Sequence, residues 1–231
     1  MIIDEQIFLG KSSYMEQTKE TIIANMEKQG IDTSIVVAPP PGPYYDKANQ
    51  TVAEATKNTK RLIPLYHANP FIEDVVEKVD VALRDGFKGV KISPTHDGYG
   101  IGGPLTDPVI EKAREHGAPV YIHSGDSIFC PPENVARYVA KHPDVNFVTN
   151  MTHRATDAAM TVDNLYLMTY SFPVLSFQRK QMNFPVDRLI FTSDAPLGSL
   201  EVEIRAAAIS KLGSSDYEKI MGENLLKIIE A

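Results

Sequence analysis

The chain has 231 residues, 43% of them hydrophobic and 23% charged, which is enough apolar material for a sizeable core. Its formal net charge of −7 excludes the basic face that binds a nucleic acid backbone, so we expect no nucleic-acid partner. A single cysteine, no export signal and no run of roughly 20 apolar residues predict a cytoplasmic protein that neither forms disulfides nor binds a membrane.

Short apolar segments rich in β-branched residues recur along the chain, as is typical of strands buried on both faces. In chain order, the predicted strands lie at Ile2-Ile3, 34–37, 62–65, 89–92, 119–122, 147–148, 166–170 and 189–191.

The segments between these strands carry a helical period. Apolar residues at 72, 75, 76, 79 and 83 fall on one face, and Gly86 stands where a C-terminal cap is expected. A first helix around Ile22 and Met26 ends before Gly30. Further helices are predicted at 46–60, 71–86, 107–117, 131–143, 155–164, 199–212 and 216–230.

Strict alternation of strand and helix predicts a parallel sheet, because parallel neighbours need a crossover connection. Periodicity does not distinguish a closed barrel from an open doubly wound sheet. No glycine-rich phosphate loop follows the first strand, which weakens the nucleotide-binding open sheet. No linker or repeat interrupts the pattern, so we predict one domain over 1–231.

Polar residues are concentrated just where the predicted strands end. In a parallel barrel these ends form the active-site face. Any one of these side chains has a structural alternative, such as a helix cap for Asp194. Their convergence on one mouth predicts an active site. The candidates, in chain order, are Gln6, Tyr45, His67, Lys91, Ser93, His96, His123, His153 and Asp194.

Seven segments resemble, in order, the amidohydrolase-related family of metal-dependent TIM-barrel hydrolases and decarboxylases. They are MIIDEQIFLG, ANQTVAEATKNTKRLIPLYHANP, GFKGVKISP, GAPVYIHSGD, HPDVNFVTNMTH, DRLIFTSDAPLG and YEKIMGENLLKII. The resemblance implies a TIM (β/α)₈ barrel of the α/β class, distorted in places, with an extra C-terminal helix.

The resemblance also assigns residues. His123 matches the fifth-strand histidine, a metal ligand or catalytic acid, and Asp194 matches the eighth-strand aspartate, a metal ligand or base. Asp4 matches the aspartate before the first-strand histidine pair, but that pair is replaced by Gln6 and Phe8. A catalytic zinc site typically has three protein ligands, so the remaining two predict that a divalent metal, zinc first, binds weakly or not at all.

Three hypotheses follow. The first is a hydrolase or carbon–carbon lyase for a small carbonyl or carboxylate compound, with Asp194 as base, His123 as acid and Lys91 stabilising negative charge. The second is a ligand-binding relative without chemistry, and the third a metal site rearranged onto His67, His123, His153 and Asp194. We expect a homodimer by default. Substrate contacts are predicted for Gln6, Tyr45, His67, Ser93 and His153.

Overall fold

The computed structural model describes residues 1–13, 15–42, 44–125, 127–170 and 184–230. Within these residues, eight parallel strands form one sheet, and each overlaps a predicted segment. They are β1 (Ile3–Phe8), β2 (Thr33–Val37), β3 (Leu62–Ala68), β4 (Val90–Ile92), β5 (Val120–Ile122), β6 (Phe147–Asn150), β7 (Leu165–Met168) and β8 (Leu189–Ile190).

Each strand pairs in parallel with the next strand along the chain, from β1 to β8. The first and last strands then meet at a junction that we call the seam. Here Glu5 N donates to Phe191 O at 3.0 Å, and Phe8 N donates to Ala195 O at 2.9 Å. A doubly wound sheet would reverse its strand order and leave two edges. The predicted TIM barrel is therefore confirmed.

Helices follow the strands and cover the outside of the barrel. They are α1 (Lys19–Gln29), α2 (Asp46–Thr56), α3 (Val75–Arg84), α4 (Pro94–Asp97), α5 (Asp107–Glu115), α6 (Pro132–Val139), α7 (His153–Ala159), α8 (Leu200–Ile209), α9 (Ser214–Glu218) and α10 (Asn224–Ile229). A π-helical turn, Lys219–Glu223, joins the last two into the predicted C-terminal helix. Among these residues, no helix has both the length and the apolar character that crossing a membrane requires.

Local side-chain chemistry explains where the helices begin and end. At α1, the Thr18 side chain accepts from Thr21 N, and Gly30 ends the helix in the left-handed region at φ 71°. The helix expected over 71–86 begins only at Val75. The Asn69 side chain accepts from the backbone N–H of Phe71 at 3.1 Å, which favours a turn at this point.

Two elements near the barrel mouth were missed by the sequence prediction. A hairpin pairs Gly10–Lys11 with Glu16–Gln17 directly above β1. The short helix α4 follows β4, with Pro94 at its first position and Gly98 at φ 78° ending it. Both elements lie on the side of the barrel where the strands end, and α4 carries polar residues into the mouth.

The interior of the barrel is apolar at its base and polar at its mouth. Alternate residues of the strands point inward and pack together, among them Ile35, Leu65, Val148 and Ile190. The intervening residues pack outward against the helices. Lys91 is one of the largest fully buried side chains, and it lies inside this ring of strands. Lys91 therefore belongs to the polar layer at the mouth of the barrel.

Candidate active site

Three side chains, from β1, from β4 and from the segment after β8, form one hydrogen-bonded chain at the mouth. Lys91 Nζ donates to Gln6 Oε1, and Gln6 Nε2 donates to Asp194 Oδ1. All three side chains are buried. An ammonium only donates hydrogen bonds, so it must face the oxygen of the Gln6 amide. A carboxylate only accepts them, so it must face the amide nitrogen. Gln6 therefore links a cation to an anion.

Asp194 is held in an unusual backbone conformation. Its φ is 53°, in the left-handed region that few residues other than glycine, asparagine and aspartate adopt. Burial raises the pKa of its carboxyl to about 6, although Lys91 and Gln6 both lower it. The carboxyl is therefore mostly ionised at neutral pH, yet its pKa is close enough to neutrality for proton transfer in either direction.

The Lys91 ammonium is the central positive charge of the mouth. Burial lowers its pKa, while the nearby carboxyls of Asp194, Glu5 and Asp97 raise it. Its Nζ lies 5.2 Å from the centre of the Phe8 ring, within the range of a cation–π contact. Lys91 thus combines a hydrogen bond, an aromatic face and several opposite charges.

Two histidines face each other beside this lysine. The rings of His96 and His123 have centroids 4.3 Å apart and an interplanar angle of 34°. Burial and the charge of Lys91 lower the pKa of both imidazoles, so both are neutral at pH 7. Among the described residues, the buried Nδ1 of His123 has no hydrogen-bond partner. An unpartnered buried nitrogen beside a charged group is typical of a ligand contact.

His67 anchors a second hydrogen-bonded network next to Lys91, its register partner on the adjacent strand β4. Its Nδ1 donates to Ala38 O at 2.8 Å, so its Nε2 accepts from the Ser93 hydroxyl at 2.7 Å. The Tyr45 ring stacks on the imidazole with centroids 3.7 Å apart. Tyr45 in turn donates from its hydroxyl to Asp97 Oδ1 at 2.7 Å. Three predicted substrate-binding residues therefore form one rigid unit.

The remaining predicted residue, His153, lies apart from this unit. It is the first residue of α7 and is exposed, because Thr152 caps the helix and directs the chain outward. Its predicted contact with substrate stays a prediction. The structure thus brings together Gln6, Lys91, His123 and Asp194 in one group and the His67 network in another.

Sequence reasoning missed two carboxyls at the mouth, Glu5 and Asp97. Glu5 is fully buried, and burial raises its pKa to about 8 against the attraction of Lys91. Burial also raises the pKa of Asp97 to about 6. The available signal for Glu5 was the run of three polar residues, Asp4 to Gln6, directly after the apolar start of the first strand. Asp97 had no such signal, because the helix that carries it was not predicted.

Asp4, which the resemblance singled out, has a structural role. Its carboxylate accepts from Ser193 N at 2.8 Å and from the Ser193 hydroxyl at 2.5 Å. Burial raises its pKa to about 7, although these hydrogen bonds lower it. The pair ties β1 to the segment after β8 and so positions Asp194 next to Gln6.

The donor set at the mouth does not fit a resident divalent metal. In the part of the chain that the structure describes, no three His, Cys, Asp or Glu side chains are arranged to hold an ion. Both nitrogens of His67 are engaged, and His153 is exposed, so the rearranged set with His123 and Asp194 is not assembled. The Gln6 oxygen, a further candidate ligand, accepts from Lys91 instead.

Solved structures share this fold. A 5-carboxyvanillate decarboxylase from Novosphingobium aromaticivorans, with bound manganese and 3-methoxy-4-hydroxy-5-nitrobenzoic acid, aligns with a TM-score of 0.81 and 15% identity over 100% of this chain and 97% of that chain. The 2,6-dihydroxybenzoate decarboxylase from Rhizobium aligns with a TM-score of 0.77 and 14% identity over 99% and 98%.

A third structure is a probable 2-pyrone-4,6-dicarboxylic acid hydrolase from Acinetobacter baumannii with citric acid bound. It has a TM-score of 0.74 and 13% identity over 100% of this chain and 99% of that chain. Identities this low establish the fold alone. No curated protein matches the chain. The family model described as Amidohydrolase matches residues 41–228, which is well over half of the chain. The chain therefore belongs to the amidohydrolase family.

Proposed function

We propose that this protein is a carbon–carbon lyase that removes the carboxyl group of a small carboxylic acid as CO₂. The observation that carries the proposal is the Lys91–Gln6–Asp194 chain, which holds a cation and a titratable carboxyl beside the unpartnered nitrogen of His123. The decarboxylases among the solved structures support this reaction class.

The chemistry requires an acceptor for the electrons of the broken bond. When the bond to the carboxyl carbon breaks, CO₂ leaves and the electron pair stays on the substrate carbon. A hydroxyl or carbonyl group conjugated with that carbon delocalises the pair onto oxygen. The Lys91 ammonium then stabilises the developing oxyanion, because a desolvated charge acts strongly at short range. We therefore infer a substrate with an oxygen substituent near its carboxyl group.

The proton that replaces CO₂ comes from Asp194. With a pKa of about 6, a minor fraction of this carboxyl is protonated at neutral pH. The protonated form donates to the substrate carbon, and the resulting carboxylate regains its proton from solvent. Gln6 keeps the side chain in place through the hydrogen bond from its amide.

His123 binds the substrate and does not transfer the proton in this scheme. Its lowered pKa leaves the imidazole neutral, and a neutral imidazole carries one N–H donor. Its unpartnered Nδ1 can donate to the substrate carboxylate before CO₂ leaves. His67, Ser93 and Tyr45 form a wall that shapes the pocket. Because the donor set does not fit a metal, each of these steps uses side chains alone.

Hydrolysis is the second candidate, which the first hypothesis from the sequence named together with carbon–carbon lysis. The ionised majority of Asp194 favours it, since a carboxylate can take the proton of an attacking water. A probable hydrolase is also among the solved structures with this fold. In that case Lys91 would stabilise the tetrahedral oxyanion of an ester or lactone.

A panel of three acids in deuterated water separates the candidates. The compounds are 2,6-dihydroxybenzoate, 5-carboxyvanillate and the lactone 2-pyrone-4,6-dicarboxylate. A lyase releases CO₂ and leaves one deuteron on the former carboxyl-bearing carbon, which nuclear magnetic resonance detects. A hydrolase opens the lactone without releasing CO₂. Binding of these acids without turnover would instead support the ligand-binding relative and contradict the proposal.

A further inference from the structure

The two residues that replace the first-strand histidine pair contact the same atom. The pairing of β1 is irregular between Asp4 and Ile7, and the side chains of Gln6 and Phe8 both reach Lys91 inside the barrel. Gln6 accepts a hydrogen bond from Lys91 Nζ, and the Phe8 ring centre lies 5.2 Å from that nitrogen. Both substitutions therefore provide contacts suited to an ammonium group.

The groups expected around a metal surround this ammonium instead. The carboxyls of Asp194 and Asp97, which are mostly ionised at neutral pH, attract Lys91. The positive charge of Lys91 also reaches the imidazoles of His67 and His123, whose protonation it opposes. A cation thus already lies where carboxylates and imidazoles from several strands converge.

We propose that the Lys91 ammonium supplies the positive charge that manganese supplies to the decarboxylase solved with that metal, and that Gln6 and Phe8 hold it in place. An added divalent ion would meet a like charge and an aromatic ring where it needs ligands. The part that Lys91 plays toward the developing oxyanion of a substrate rests on the proposed function. The exclusion of metal does not, because it depends on the described side chains alone.

The first arm of the test measures metal binding without any substrate. Wild-type protein is purified without chelators, analysed for elements, and titrated with MnCl₂ and with ZnCl₂ by calorimetry. We expect far less than one bound ion per chain and no saturable binding at the mouth. One tightly held manganese or zinc per chain that Asp194→Asn abolishes would overturn the proposal, whatever the substrate proves to be.

The second arm measures binding of 2,6-dihydroxybenzoate with and without a chelator. We expect equal affinity in both conditions. We expect Lys91→Met to weaken binding about tenfold or more, as for the loss of a hydrogen bond from a charged group. Lys88→Met is the matched control, because Lys88 is exposed just before β4. Circular dichroism verifies that each variant folds.

The outcomes of the two arms distinguish the two proposals. Loss of acid binding on chelation, or unchanged binding in a folded Lys91→Met variant, overturns the role of the ammonium. If wild-type protein binds none of the three acids under any condition, the proposed function fails. The metal titration still decides whether Lys91 excludes a divalent ion, even if Lys91→Met does not fold.

Discussion

Two adjoining networks at the barrel mouth differ in how they hold their polar groups, although His67 and Lys91 are partners on neighbouring strands. In the first network, Gln6 links the charged Lys91 and Asp194. In the second, the imidazole of His67 is neutral and fully hydrogen-bonded, and the Tyr45 ring packs on it. A charged chain can respond to a reacting substrate, whereas a satisfied imidazole resists change. We therefore assign chemistry to the first network and pocket shape to the second.

The largest effect is expected when the titratable carboxyl of Asp194 is removed. Asparagine tolerates the left-handed backbone of position 194, so Asp194→Asn keeps the geometry and removes the proton. We expect turnover of the substrate found in the acid panel to fall about 10²–10⁴-fold. Initial rates measure the effect. Asp187→Asn, at an exposed position, is the control, and a comparable fall in that variant would contradict the assignment.

The second prediction concerns Glu5 and the pH dependence of stability. Above about pH 6.5, an unfolded chain has deprotonated carboxyls and neutral histidines. The folded chain still holds a proton on Glu5, whose pKa is raised to about 8, so raising the pH to about 8 must remove it. The free energy of unfolding should therefore fall over this interval, by roughly 1.5 kcal/mol from Glu5.

Urea unfolding at several pH values measures this slope. Asp4 and Glu203 contribute in the same direction, because burial raises their pKa values to about 7 and about 8. The comparison with Glu5→Gln isolates Glu5, since the variant keeps the other groups. An identical slope in both proteins would show that Glu5 is ionised throughout.

The smallest effect is expected in the His67 network. Tyr45→Phe retains the ring that stacks on His67 and removes the hydroxyl that donates to Asp97. We expect a loss of about 1 kcal/mol in stability and turnover within about tenfold of wild type. Thermal unfolding and initial rates measure both quantities. A loss of turnover as large as that of Asp194→Asn would show that the His67 network takes part in the chemistry.

Much of the fold could be predicted because its signals are local. The β-branched runs and the alternation of strand with helix are properties of neighbouring residues. The helix α4 escaped prediction because it is short and has no apolar stripe. The late start of α3 depends on the Asn69 side chain, which competes with the helix for backbone N–H groups.

The candidate site could be predicted only in part, because its partners are distant in sequence. The resemblance directed attention to His123 and Asp194, and the strand ends to Lys91 and Gln6. The position of Gln6 between Lys91 and Asp194 depends on distances in the folded structure. The spacing of these residues along the sequence does not give those distances. His153 depends on the fold in the same way: it is the first residue of α7 and is exposed, and its contact with substrate stays a prediction.

The seam has a consequence for how the protein is made. The bond from Gln6 to Asp194 crosses it and spans 188 residues of sequence. During synthesis on the ribosome, β1 emerges first and cannot acquire its second neighbour until β8 has been translated. A ligand that needs both Gln6 and Asp194 can therefore bind only after the barrel has closed. Closure between segments so distant in sequence is intrinsically slow. A nascent chain halted before β8 would contain most of the fold and none of the proposed activity.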